Sequence, residues 1–270
     1  MNMQMQRARH VRLTAVAAIG AAVSLAGLNA LWAQSPSGQA DAGQSGQVTV
    51  KQRLAQLASA DYLTRQAASR ALFADPKITD DQLIELYAAA NLPEQRHRLL
   101  AVAQHHVLRN RRKLIDRTAG DGSLGIAHQG VTKAQLPHLG RPAIRVLDTL
   151  AGFPAHAVLE PGDLILLVDG RKLPEVNDGL QIREIFRTAI LARKPNSLVR
   201  LKVRRRDVMI DVRIRIASGQ ALDRMYNSND QTDLPVLDAQ SARDWTQFRQ
   251  KLEGVKAAKT VKIEAAAAGE

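Results

Sequence analysis

The chain has no cysteine among its 270 residues. Disulfides, thiolate-held metals and a cysteine nucleophile are therefore excluded. Aromatic residues make up only 3%, too few to supply stacking platforms for bases or sugars. Acids are also in short supply: 26 stand against 38 lysines and arginines, leaving a formal charge of +12. Such a balance bears on solubility and anionic partners, not on fold. Apolar residues nonetheless reach 45%, enough for one or two packed domains at this length.

What is present begins with MNMQMQRARHVR, which carries Arg7, Arg9 and Arg12 and no acid. An apolar run from Leu13 to Ala33 follows and ends among small residues such as Ala30 and Ala33. This order predicts a secretory signal peptide over 1–33. Left uncut, the run 13–33 is long enough to anchor the chain in a bilayer. The Ser/Gly/Gln-rich stretch 34–47 reads as a flexible linker. The mature protein is then expected in the periplasm or secreted. Losing the three leader arginines lowers its charge to about +9, still basic.

Residues 48–117 have a helical period. Leu63, Ala67, Ala68, Ala71 and Leu72 recur at three- and four-residue steps, Asp61 is placed to cap them, and Pro76 lies beyond their end. Thr79 with Gln82 has the spacing of a capping box for a second helix, whose stripe is Leu83, Leu86 and Tyr87. Pro93 suits the first turn of a third helix reaching Arg112, with Leu99, Leu100, Ala103 and Val107 inward. DYLTRQAASRAL resembles the first helix of a HEAT-type repeat; a small helical bundle is the alternative reading.

After Ser123 the period changes to two. SLVRLKV and VMIDVRIRI alternate as half-buried strands joined by an Arg205-Arg206-Asp207 turn. LILLVDG is a buried strand ending in a turn signal at Asp169-Gly170. One amphipathic helix interrupts, with Ile182, Ile185, Phe186, Ala189 and Ile190 on one face. Residues 219–270 read as a polar tail with one short helix whose face holds Trp245, Phe248 and Leu252.

GDGSLG, residues 120–125, has the spacing G-x-G-x-x-G of a dinucleotide loop. Such a loop must leave a strand and open a helix. Here basic helical sequence precedes it and a short strand, IAHQGV, follows, so no nucleotide cofactor is expected. Ser-Leu-Gly-Ile instead fits the small-apolar-Gly-apolar loop of PDZ domains. AIRVLDTLAGFPAHAVLEPGDLILLVDGRKL is similar to the run in PDZ domains of the HtrA protease type, and Pro161-Gly162-Asp163 before the buried strand is its most specific part. The fold class expected is therefore helical hairpins followed, over 118–218, by a PDZ-like partly open β-barrel with one main helix. The family pattern differs at Val158, where glycine is usual, and at Phe153, where a small residue is usual.

That resemblance implies a groove for a peptide or a protein C-terminus. Gly125 permits a bend whose amides converge on an anion, and Ser123, Leu124, Gly125 and Ile126 form that loop. Ile126, Ala127 and His128 offer a strand edge to which an extended chain can add. Ile182, Phe186 and Ala189 are the expected opposite wall. A β-branched residue at Gly125 is expected to abolish binding and leave the domain folded.

No G-x-S-x-G occurs, and a protease triad cannot be assembled, so the chain is read as non-enzymatic. His105 and His106, adjacent on a helix, point about 100° apart and are read as surface residues without a metal. Asp80 and Asp81 are first-turn charges. Arg200, Lys202, Arg204, Arg213 and Arg215 share one sheet face and could meet an anionic surface, although export argues against nucleic acid. The reading is an exported adaptor that captures peptides. Its rivals are a substrate-delivery subunit of a separate envelope protease and a basic surface-binding protein.

Overall fold

The first helices start where the sequence supplies caps. In a computed structural model that describes residues 50–116, 120–227 and 235–267, α1 spans Val50–Leu57, α2 Tyr62–Ala74, α3 Asp80–Ala89 and α4 Pro93–Ile115. The expected leader and linker lie outside the described residues. Asp61 accepts from the amides of Leu63 and Thr64 at 3.3 and 2.8 Å, satisfying donors that a helix start leaves open. Thr79 and Gln82 form the reciprocal box, and Pro93 opens α4. The buried face of α2 is narrower than its apolar spacing suggests: Ala68, Ser69 and Leu72 are inside, while Leu63 is 51% exposed.

Ten strands follow among the described residues. They are β1 (Gly122–Ser123), β2 (Ile126–Val131), β3 (Ala143–Thr149), β4 (Leu164–Val168), β5 (Arg171–Lys172), β6 (Leu198–Arg205), β7 (Val208–Arg215), β8 (Ala217–Ser218), β9 (Tyr226–Asn227) and β10 (Val236–Leu237). Between them lie α5 (Gly179–Leu191) and α6 (Gly219–Met225), and α7 runs from Ala239 to Ala267. The main sheet is antiparallel in the order β2-β3-β4-β6-β7, with β5 paired to β4. It does not close into a barrel, so β2 and β7 are edges. Positive φ angles at Asp169 (48°) and Gly170 (79°) make the tight turn that Asp-Gly signals. Ile144, Val146, Ile165, Leu201, Val203 and Ile182 fill the core beneath α5.

The Pro161-Gly162-Asp163 turn has a mechanical role. Asp163 is 1% exposed. It accepts from the Glu160 amide at 2.9 Å and from both ends of the Arg205 guanidinium at 2.8 and 2.6 Å. A buried carboxylate needs such complete pairing. The bond ties the turn to the end of β6. Glu160 in turn meets Arg70 and Gln66 of α2, so the same turn touches the helical part.

The tail departs most from expectation. Residues 239–267 form one long helix rather than a short one in a polar tail. Its Phe248 and Leu252 join the core of α1–α4, with Trp245 packed at the margin. Met225 and Tyr226, in the stretch that reads as polar tail, are buried against Leu108, Leu150 and Phe153. The helical part is thus closed by a segment from the far end of the chain. It is one cluster, not a stack of hairpins, and the HEAT resemblance is not supported. The face of Trp245, Phe248 and Leu252 was legible, but the helix's length was not, because Val255 and Val261 beyond that face stay exposed and carry on no inward stripe. No helix among the described residues is long and apolar enough to cross a membrane.

Leu252 is 1% exposed. Leu252→Ala is expected to destabilise the protein by about 2–5 kcal/mol through the cavity it leaves. Denaturant unfolding checks this; a neutral result would mean α7 does not pack in solution.

Candidate functional site

No helix follows GDGSLG; the chain enters β2, the edge strand. This excludes dinucleotide geometry and leaves one β2 edge without a strand neighbour among the described residues. α5 runs antiparallel beside that edge. At the far end the backbones of Gly130 and Gly179 touch: a Cβ on Gly130 would stand 2.0 Å from the Gly179 carbonyl oxygen. Midway, the His128 and Phe186 rings meet edge to face at 5.1 Å. At the near end, the carbonyls of Ile190 and Arg193 press on Gly122. Between the pinch at Gly130 and the loop lies a cavity of about 500 Å³.

Of the residues expected there, Ser123, Leu124, Gly125, Ile126, His128 and Phe186 line the cavity. Ala127 does not; strand alternation turns it to the other side, where it is buried. Ile182 is fully buried in the core instead. Ala189 is half-buried and not part of the lining. Helical spacing explains the shift. Ile190 and Leu191 lie closer to the loop than Ala189, and they with Arg187 form the α5 wall. Ile190 belonged to the legible stripe. A third wall, from Gln220, Leu222 and Asp223 of α6, had no legible signal, because seven residues are too few to show a period.

The loop itself is tightly specified. Gly125 has φ +69°. A Cβ there would lie 2.2 Å from the Cβ and Cγ of Phe153. Glycine is required both by the backbone and by the ring under it. The Gly125 carbonyl accepts from the Leu150 amide at 2.9 Å, and its own N–H donates to Ser123 Oγ at 3.1 Å. One amide expected to face a ligand is therefore held by a side-chain hydroxyl. β1 enters the loop paired with β8, Gly122 opposite Ser218. Phe153 occupies the place of a small residue because the space above it is a glycine.

His128 lies between the loop and α5. Burial lowers its pKa, partly offset by contact with the Ile126 carbonyl, so it is neutral at pH 7. Its Nε2 is shielded and has no partner among the described residues. Asp121 and Asp223 are exposed on the cavity's rim, and Arg187 is engaged by Glu184 at 2.8 Å.

The other two polar features differ from expectation. His105 and His106 are buried, at 2% and 1% exposure, not on the surface. They serve as hydrogen-bonding groups between elements: His105 Nδ1 accepts from the Gly152 amide at 3.1 Å, and His106 Nε2 lies 2.8 Å from the Leu72 carbonyl. Among the described residues no cluster of His, Asp and Glu could hold a metal. On the basic face, Lys202 pairs with Asp211 at 3.1 Å and Arg204 with Asp207 at 2.8 Å. Arg215 donates to the Asn196 carbonyl at 3.0 Å. Arg200 and Arg213 stand opposite each other across β6 and β7, so most of the expected cationic face is engaged within the chain.

Gly125→Val is therefore expected to cost stability as well as binding, by about 1–3 kcal/mol or more, because the side chain meets Phe153. Thermal unfolding checks this; an unchanged melting temperature would contradict the packing described. A pH effect also follows. Burial lowers the pKa of His106 to about 4, against 6.5 for a free imidazole. Below pH 6.5 the unfolded chain takes up a proton that the folded chain refuses, so stability is full above 6.5 and falls toward pH 4. A melting temperature that holds constant from pH 7 to 4.5 would contradict it.

Residues 113–203 match the family model for the PDZ domain. The match ends within β6, although the sheet continues through β7, and α6 lies beyond it. Similar solved structures include the HtrA-type protease AlgW with a decapeptide, at 22% identity and a TM-score of 0.29, and a variant of the same protease with a decapeptide, at 20% and 0.31. Each comparison covers 41% of this chain and 33% of the other, so the chain spans about a third of those proteins' length. A comparison with curated proteins finds no match. The chain carries a PDZ domain, a module for peptide or protein interaction.

Proposed function

We propose that the protein is an exported, non-enzymatic adaptor whose PDZ groove captures an extended peptide or protein C-terminus. The observation that carries this reading is the β2 edge, unpaired among the described residues, that faces α5 beside a cavity of mixed polar and apolar lining. An incoming chain would add to β2 as a further strand, its backbone satisfying the open edge and its last side chain entering between Ile126, Phe186, Ile190 and Leu222. From Gly125 to the Gly130 pinch the open edge accommodates roughly three or four residues at about 3.3 Å each. A terminal carboxylate would compete with Ser123 Oγ for the Gly125 N–H. Export rests on the leader sequence alone.

The decisive experiment is calorimetric titration of the full chain with decapeptides selected from a random pool with free carboxyl ends, and with their amidated forms. Binding is expected, weaker for the amides. Ile190→Ala or Leu222→Ala is expected to weaken it about tenfold, or about 1.4 kcal/mol, while Lys133→Ala leaves it unchanged. No selected peptide, or equal affinity in all variants, would refute the groove. The purified protein is also expected to leave casein intact; turnover that follows it through purification would refute the adaptor reading.

A further inference from the structure

The carboxyl half of α4 reaches the loop from two directions. On one side, its residues grip the two peptide units that flank the Gly152 Cα: His105 Nδ1 accepts the Gly152 N–H at 3.1 Å, and Arg112 Nε donates to the Gly152 carbonyl at 2.8 Å. Gly152 has φ +87°, and a Cβ there would stand 2.8 Å from the Leu108 backbone. Helix and turn are thus in direct backbone contact. The next residue, Phe153, is fully buried beneath Gly125. On the other side, Asp116 at the α4 C-cap accepts the Ser218 amide at 3.1 Å. Ser218 is the residue paired with Gly122, where the loop begins. Arg112 also pairs with Asp116, joining the two grips.

The Gly152 grip contains imidazoles. His105 stacks on His156, from the turn after β3, at 5.1 Å and 13° between planes, and Phe73 of α2 stands edge-on to both. His156 Nδ1 lies 3.0 Å from the Thr149 carbonyl. The Gly152 bond requires an unprotonated Nδ1 on His105.

We propose that α4 and the His105–His156 stack form a proton-sensitive clamp on the peptide-binding loop, so that the helical part governs the groove. This rests on the groove reading above for its meaning, but its geometry is independent of any ligand. The charged and titratable groups around His105 are His156 from the turn and His106, Arg109 and Arg112 from α4; Asp148 faces His156. Burial first, then these neighbouring cations and imidazoles, hold His105 neutral, and burial does the same for His156. When the clamp opens, both rings meet water and take up protons that the closed form refuses. Acid therefore favours the open form, by up to about tenfold per histidine for each pH unit below 6.5. Opening withdraws support from Phe153 and from the β8 pairing together, and the loop amides lose their fixed direction.

The test is hydrogen exchange of the full chain, read by mass spectrometry over 122–128 and corrected for intrinsic pH dependence. From pH 7 to 5.5 exchange in this segment is expected to rise by up to about seventyfold, while the 93–104 part of α4 stays protected. His105→Gln, which keeps an acceptor but cannot titrate there, is expected to lose most of that rise. Arg112→Met is expected to give fast loop exchange already at pH 7, and it carries the test if the first variant does not fold. A flat wild-type response, a His105→Gln response equal to wild type, or equal loosening of 93–104 would overturn the clamp. The same samples are titrated with the selected decapeptides. Loop exchange that responds without any peptide binding would reject the groove reading and keep the clamp. Peptide affinity that is unchanged by pH, with a flat loop, would do the reverse.

Discussion

One residue, Gly152, joins the parts of this protein. Its N–H and carbonyl both bond to side chains of α4, and the absence of a Cβ lets the two backbones touch. The next residue turns an aromatic ring under the loop that the PDZ resemblance marks as ligand-binding. A glycine, a histidine, an arginine and a phenylalanine thus fix the loop's height and tilt. Gly125 follows from this arrangement, since only a glycine can lie over that ring with a positive φ.

The second constraint is where the chain ends up. α7 returns to fill the face of α3 and α4, and α6 forms a wall of the cavity. Both come after the PDZ match. The cavity is therefore walled in part by α6, which lies outside the family match. Its rim carries Asp121 and Asp223, while the expected cationic face on β6 and β7 is spent mainly on internal pairs.

Much of this was legible. The caps at Asp61 and Thr79, the Asp169-Gly170 turn and the alternating strands follow from local chemistry that one segment suffices to reveal. The loop, the edge strand and Phe186 were also accessible, because their signals are short and specific. What was hidden depends on distant partners. Ile182 and Ile190 share a stripe, and only the position of the sheet decides which is core and which is lining. His105 and His106 look like surface residues in a polar helix end; the turn that meets His105 lies 47 residues on, and the α2 carbonyl that meets His106 lies 34 residues back. Phe153 reads as a departure until the glycine above it is in place.

In the proposed complex a ligand joins β2 as a strand beside a loop held in place by α4. Nuclear Overhauser contacts between a bound decapeptide and the labelled protein test it most directly. Cross-strand contacts from the peptide backbone to Ile126 and His128, with the last side chain near Ile190 and Leu222, are the predicted result. A peptide that contacts α7 or the β7 edge, leaving the β2 amides unshifted, would contradict it.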